Sequence, residues 1–297
     1  MFYCEDSVHV DGGTPEYIFD YRRPQNDPSL GIPHAEEYAS NRKWNIVLQM
    51  YSDMDLSAPS DKLPAISAAA ETFGTQFSSS LSLPHSYNAG LWKQHFPLNL
   101  LWFTLAHGTP KPLVYRAPSW SWAAIDSVIY YHAWNTIHLG RIAVTTTTCE
   151  TQLASPAAPF GQVTDGYLEI EAPLAELTFR YKPNTIHFDI FGGIWTEFVF
   201  DAPRATPSAG QDPYEMITVS LLCIVREART HEEKEFAQRA RSAPATYMQG
   251  LILEKTSEEN IYTRVGRFTL KWNESLKEVQ EWKDWKDSLQ MTKVTII

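Results

Sequence analysis

Between positions 116 and 132 the chain places a cation, two indoles, a carboxylate, two phenols and an imidazole: Arg116, Trp120, Trp122, Asp126, Tyr130, Tyr131 and His132. Such a set can do acid–base chemistry. A carboxylate, phenol or imidazole within hydrogen-bond reach of a substrate can give or take a proton. Indole faces can shield a hydrophobic intermediate or stabilise positive charge that develops on it. If the segment is extended, Arg116, Trp120, Trp122 and Asp126 share one face, because side chains alternate along a strand. Ala117, Ser119, Ser121, Ala123 and Ile125 then form a small-residue face against which another element can pack. His95, within Trp92-Lys93-Gln94-His95-Phe96-Pro97, is a further proton-transfer candidate. The catalytic candidates are thus His132, Asp126, Tyr130 and His95, and the substrate-binding candidates Trp120, Trp122, Arg116 and Tyr131. The competing reading is structural: Asp126 pairs with Arg116 to close a turn, and the aromatics fill a core.

Other chemistries lack their residues. There is no phosphate-binding glycine loop, dinucleotide fingerprint or Gly-x-Ser-x-Gly elbow. Neither His-Glu-x-x-His nor Cys-x-x-Cys zinc spacing occurs. The expectation is chemistry without cofactor or metal. His34 with Glu36 and Glu37 matches no recognised metal spacing, His107 beside Gly108 reads as loop, and His138 follows Trp134. Cys149 has no neighbouring histidine in sequence to activate it.

The run Tyr115-Arg116-Ala117-Pro118-Ser119-Trp120-Ser121-Trp122-Ala123, ending near Asp126, resembles a signature of the fungal heterokaryon-incompatibility family, in the region downstream of the incompatibility domain. Four further segments agree with it in order and spacing. They are Trp44-Asn45-Ile46-Val47 with Tyr51-Ser52, Asp61-Lys62-Leu63-Pro64-Ala65-Ile66-Ser67, Ala89-Gly90-Leu91-Trp92 and Leu100-Leu101-Trp102. The resemblance covers residues 40–130, and Gly250-Leu251-Ile252-Leu253 and Val265-Gly266-Arg267-Phe268 extend it toward the family's closing strands. The Asp-Ala-Leu-Cys-Ile-Asp-type segment of the upstream domain, credited with the family's cell-death signalling, is not in the chain. The resemblance therefore implies a downstream region that acts by binding or by chemistry of its own.

Two functions follow. The first is a cofactor-independent tailoring enzyme of fungal secondary metabolism, a cyclase, isomerase or dehydratase-type lyase, acting on a hydrophobic small molecule in an aromatic-lined pocket. The alternative is a non-catalytic interaction module derived from a heterokaryon-incompatibility protein, with another protein as partner. They make opposite demands on the two tryptophans. An enzyme needs Trp120 or Trp122 on the wall of a closed concavity with a polar group at its end. A module buries both and shows an apolar patch elsewhere.

Composition narrows the partners. The 297 residues are 43% hydrophobic and 20% charged, enough for a sizeable core in one large domain or two small ones. A net charge of −10, with the basic residues scattered, argues against nucleic acid and anionic membrane. Cys4, Cys149 and Cys223, far apart and odd in number, read as reduced thiols. No basic, apolar leader opens the chain, and the longest apolar run, 217–225, is too short to span a bilayer. A soluble, cytoplasmic protein is expected.

The elements that must position the candidates follow from periodicity. Residues 1–40, rich in Pro, Gly, Asp and His, read as an irregular arm. Trp44, Val47, Leu48 and Tyr51 lie at helical spacing. Ser60 or Asp61 caps a second helix running to Phe77, with Ile66, Ala69, Ala70, Phe73 and Phe77 inward. Residues 91–105 read as a buried helical segment interrupted at Pro97. From 142 onward the pattern alternates apolar and polar residues between Pro/Gly-rich turns. The expected strands are 142–149, 166–172, 174–181, 187–190, 197–200, 216–226, 247–255, 263–271 and 294–297. Residues 230–243 read as a charged segment. Residues 273–289 read as a late helix, with Ser275 and Glu278 as a capping box and Leu276, Val279, Trp282, Trp285 and Leu289 on one face. The expected fold class is α+β: a helical N-terminal half packed on a β-rich antiparallel sandwich or barrel. Its regions are the arm 1–40, the helical, signature-bearing 41–140 and the β-rich 141–297, joined in one unit.

Overall fold

The computed structural model describes residues 2–4, 7–9, 35–80, 87–105, 109–131, 140–183, 195–204, 212–227, 246–272 and 280–297. Strands β1 (Phe2–Cys4) and β2 (Ser7–His9) form an antiparallel pair. Helix α1 (Ala35–Ser52) begins inside the arm expected to be irregular and carries Trp44 and Leu48, one turn apart and fully buried. Two 3-10 turns, Pro59–Lys62 and Pro64–Ile66, lead into α2 (Ser67–Ser80). Each opens on a proline, whose fixed φ suits a first helical position and whose missing N–H costs nothing there.

Residues 91–105 do not form the expected helical segment. A tight hairpin joins β3 (Tyr87–Asn88) to β4 (Leu91–Trp92), turning through Ala89 and Gly90 at φ +43° and +94°. Two 3-10 turns follow, Lys93–His95 and Leu98–Leu101, on either side of Pro97. Proline removes the donor that a continuous helix needs. Strand β5 (Phe103–Thr104) then pairs with β6 (Ile129–Tyr130).

The C-terminal half builds a large sheet. Its members are β7 (Gly140–Ile142), β8 (Thr146–Leu153), β9 (Val163–Tyr181), β10 (Trp195–Phe200), β11 (Glu215–Glu227), β12 (Thr246–Lys255), β13 (Ile261–Trp272) and β14 (Gln290–Ile296). Strand order is β7-β11-β12-β13-β14-β9-β8, with β10 also on β13. Strand β9 pairs β14 through residues 168–174 and β11 through 174–181, so the path closes on itself through β9, β11, β12, β13 and β14. Among the described residues every pairing is antiparallel except a two-residue parallel seam, Ile261 and Tyr262 of β13 against Thr295 and Ile296 of β14. The fold is thus mixed α and β, with a large, mainly antiparallel sheet in the C-terminal half and few helices among the described residues.

Strand β9 merges two expected strands. Pro173, the apparent break, sits between the end of β8 pairing at Glu171 and the start of β11 pairing at Leu174, and on its other edge stays in register with Met291 of β14. Alternation then sorts the strand residues between two cores. Leu168, Ile170, Leu222, Ile224, Leu251 and Leu253 face the N-terminal elements and join Trp44, Trp92, Trp102, Trp120 and Trp122 in one cluster. Leu177, Phe179, Leu221, Cys223, Ile252 and Phe268 face the other way. There they meet Trp282 and Trp285 of α3 (Gln280–Ser288), whose rings stack 5.4 Å apart. Each fully buried aliphatic chain contributes about 1.5–3 kcal/mol. The rest of the expected late helix, including Ser275 and Glu278, lies outside the described residues, as do the expected strand 187–190 and segment 230–243. Among the described residues no helix is long and apolar enough to cross a membrane.

Candidate functional site

The tryptophan signature is not a strand. Ser119 and Trp120 lie in a turn, and Trp122–Ala124 winds a 3-10 turn capped by Ser121. Ser121 Oγ accepts from the Ala123 N–H (3.0 Å) and donates to the Ala89 carbonyl (2.5 Å). A short hydroxyl side chain reaches the second N–H of a turn in this way and competes with extended structure. The two indoles therefore share no strand face with Arg116 and Asp126. Both are fully buried. Trp122 Nε1 donates to the Gly90 carbonyl (3.0 Å), and the Trp120 carbonyl accepts from Trp102 Nε1 (3.0 Å).

Arg116 and Asp126 do meet, with Nη1 2.6 Å from Oδ1, and the same nitrogen donates to the Pro59 carbonyl (3.2 Å). A third charge, Lys62, joins them. Its ammonium donates to the Ile125 carbonyl (2.6 Å), stands 3.7 Å from Asp126 Oδ1 and lies 5.9 Å from the centroid of the Trp122 ring. The Tyr51 hydroxyl donates to the Lys62 carbonyl (2.7 Å). Burial lowers the Lys62 amine to about 8, against the pull of Asp126. The carboxylate, half open to solvent, faces both buried cations and closes the turn. Lys62 had no sequence signal separating it from a surface lysine.

The other candidates lie elsewhere. His95 ends a 3-10 turn, partly buried, and burial lowers its imidazole to about 4. It is neutral at pH 7 and far from the value that suits proton transfer there. Between pH 6.5 and 4 the unfolded chain binds the His95 proton and the folded one does not. Stability therefore falls as pH drops through that window. Thermal unfolding of His95→Gln against wild type, from pH 7 to 4, is expected to show a shallower loss in the variant; parallel curves would contradict it. His132, His138, His107 and His34 lie outside the described residues.

Tyr130 and Tyr131 belong to a second cluster, centred on residues that sequence reading missed. The Tyr130 ring lies 5.9 Å from Phe103, and Tyr131 beside it is buried. Arg264 is fully buried, and each of its guanidinium nitrogens has an acceptor. It donates from Nε and Nη2 to the carboxylate of Asp201 (3.0 and 3.3 Å), from Nη1 to the Leu100 carbonyl (2.5 Å) and from Nη2 to the Trp102 carbonyl (2.6 Å). Its guanidinium lies 3.3 Å from the centroid of the Trp102 ring. Burial pushes the Asp201 carboxyl above its ordinary value, and Arg264 pulls it back. The Arg264 N–H donates to Ser119 Oγ (2.9 Å), and the Ser119 N–H donates to the Ile297 carbonyl (3.1 Å), tying the signature turn to the sheet.

Arg264 and Arg267, three apart in a strand, should point to opposite faces. A bulge opposite Ile252 and Leu253 removes one residue from the alternation, so Arg264 opposes Leu253 and Arg267 opposes Leu251 on the same side. The available signal was Gly266, since an isolated glycine inside a strand pattern often marks a bulge.

No family model, curated protein or solved structure matches the chain. The resemblance to the incompatibility family therefore rests on the motif residues alone.

Proposed function

We propose that this chain is an interaction module of the heterokaryon-incompatibility kind, docking another protein through the loop that leads into the tryptophan signature. One observation carries the reading. Leu113 is completely exposed, Val114 is 76% exposed and Tyr115 49%, so three consecutive apolar residues face solvent while the tryptophans that follow are core. Contiguous exposed apolar surface is characteristic of docking sites. Pro110 and Pro112 stiffen the loop, and Lys111 Nζ fixes its base by donating to the Arg264 carbonyl (3.3 Å). A stiff loop loses less entropy on docking.

A second reading, the cofactor-independent tailoring enzyme, is favoured by Lys62. An amine lowered to about 8 is partly neutral near physiological pH and can act as a nucleophile or base. One comparison separates the two readings. The double substitution Leu113→Ser with Val114→Ser removes exposed side chains, so stability should change by no more than about 0.5 kcal/mol. A photo-crosslinker at position 113 is expected to trap a discrete protein in source cells, and deletion of the gene to leave the metabolite profile unchanged. Accumulation of an intermediate that the purified protein converts would establish the enzyme instead.

A further inference from the structure

The loop that leads into the tryptophan signature runs onto a negatively charged edge of the sheet. Strand β14 pairs β9 only as far as Leu168, opposite Ile296. Beyond that point the loop takes over. The Ser119 N–H donates to the Ile297 carbonyl, and Pro118 lies so close over Gly166 of β9 that a Cβ there would stand 2.8 Å from Pro118 Cγ. Tyr115, just before Pro118 in the chain, comes near Asp165, the residue before Gly166. Burial together with that carboxylate pushes the Tyr115 phenol up to about 12. Asp165 is exposed, and its Oδ1 is held by the Gly166 N–H, which donates to it (2.8 Å). Glu150 of β8, also exposed, faces Tyr167, while Asp165 faces Gln152. The two carboxylates therefore stand diagonally on one face of the β8–β9 ladder, about 7–8 Å apart.

The cations of the surrounding elements are already engaged. Arg116 pairs with Asp126, Lys111 donates to the Arg264 carbonyl, and Lys293 of β14 pairs with Glu169. Asp165 and Glu150 have no cationic partner among the described residues. Leu113, Val114 and Tyr115 thus present an apolar strip bordered by carboxylates, on a chain of net charge −10. Resting on the docking role of this loop, we propose that its partner is a protein segment in which an arginine adjoins one or two large aliphatic residues. The aliphatic side chains cover Leu113 and Val114. The guanidinium lies over the half-exposed Tyr115 ring and forks onto the Asp165 carboxylate, two contacts that a planar cation makes at once. Glu150 widens the negative field on that side and, with the net charge, speeds encounter with a basic segment. An acidic segment would bring like charges together. A wholly apolar one would take water from Asp165 and return no bond.

The test pans a random-peptide library displayed on phage against the immobilised full chain, with the Leu113→Ser, Val114→Ser double variant as counter-selection. Peptides retained only by the wild type are expected to carry arginine next to Leu, Ile or Phe. Resynthesised, such a peptide should bind about tenfold more weakly to Asp165→Asn, through loss of one charge-assisted contact. Asparagine keeps an oxygen for the Gly166 amide, so this variant should retain wild-type circular dichroism and cooperative unfolding. Panning repeated on Asp165→Lys should select acidic–apolar peptides in place of basic ones. The inference and its premise fail differently. Loop-dependent peptides that are neutral or acidic, or an affinity indifferent to Asp165→Asn, would overturn the arginine assignment and leave docking intact. Failure to select any loop-dependent peptide would remove the docking reading itself, and the inference with it. A wild-type dimer that the double variant dissolves into monomers, measured by sedimentation, would make a second copy of this chain the occupant and overturn the basic partner.

Discussion

Arg264→Leu is expected to lower stability by about 3–5 kcal/mol, the range seen when one partner of a buried ion pair is removed. The substitution strands the Asp201 carboxylate, itself almost wholly buried, and leaves the Leu100 and Trp102 carbonyls without their donor. It also removes the cation that lies over the Trp102 ring. Arg264→Lys should recover only part of the loss. An ammonium can neutralise Asp201, but it lacks the fork that serves a carboxylate and two carbonyls at once. Urea unfolding measures both, and a decisive control is available. Adding Asp201→Leu to Arg264→Leu removes the orphaned charge, so the double variant should be more stable than the arginine variant alone. If it is less stable, the carboxylate has partners beyond Arg264 and the pair is not the fastening described.

Gly90→Ala is expected to be nearly as damaging, by about 2–5 kcal/mol, for two independent reasons. At φ +94° a side chain strains the backbone by about 1–3 kcal/mol. A Cβ there would also overlap the indole nitrogen of Trp122, which sits against Gly90 to reach its carbonyl. Overpacking of this kind costs a further 1–3 kcal/mol or so. A double-mutant cycle separates the two. Trp122→Phe shrinks the ring and relieves the overlap but not the strain. The pair Gly90→Ala with Trp122→Phe should therefore lose less than the sum of the single losses. Strict additivity would show that the ring and the glycine do not touch.

What the sequence made legible follows from how regular each element is. The strands of the C-terminal half were readable because β12, and β11 up to its bulge near Cys223, alternate between two cores, and α1 because Trp44 and Leu48 recur with the helical period. The pairing of Arg116 with Asp126 was readable as a turn closure. The tryptophan segment was misread for a local reason. Two indoles spaced by two fit a strand, and nothing in a Trp-Ser-Trp string announces that Ser121 will cap a 3-10 turn. The sharper loss was Arg264 and Arg267. Charged residues three apart in a strand read as solvent-facing on at least one side, and only the bulge beside Gly266 turns both inward. Asp201 and Glu197, their partners, lie 63 and 70 residues earlier in the chain, separations that local pattern cannot bridge.

The parallel seam between β13 and β14 has a consequence for how the sheet breathes. A ring of strands is only as tight as its thinnest join, and here that join is two residue pairs long, whereas β12 and β13 pair along ten. Thermal openings should therefore start at the seam, peeling β14 from β13 while the antiparallel ladders stay shut. Ser119 holds that place, because it grips the Ile297 carbonyl on one side and receives the Arg264 amide on the other, and the Ile297 amide in turn binds the Tyr262 carbonyl (3.0 Å). The small serine between proline and tryptophan thus works as a latch on a zip. Amide hydrogens of residues 295–297 would report its closing, exchanging faster in Ser119→Ala while those of β12 keep their protection.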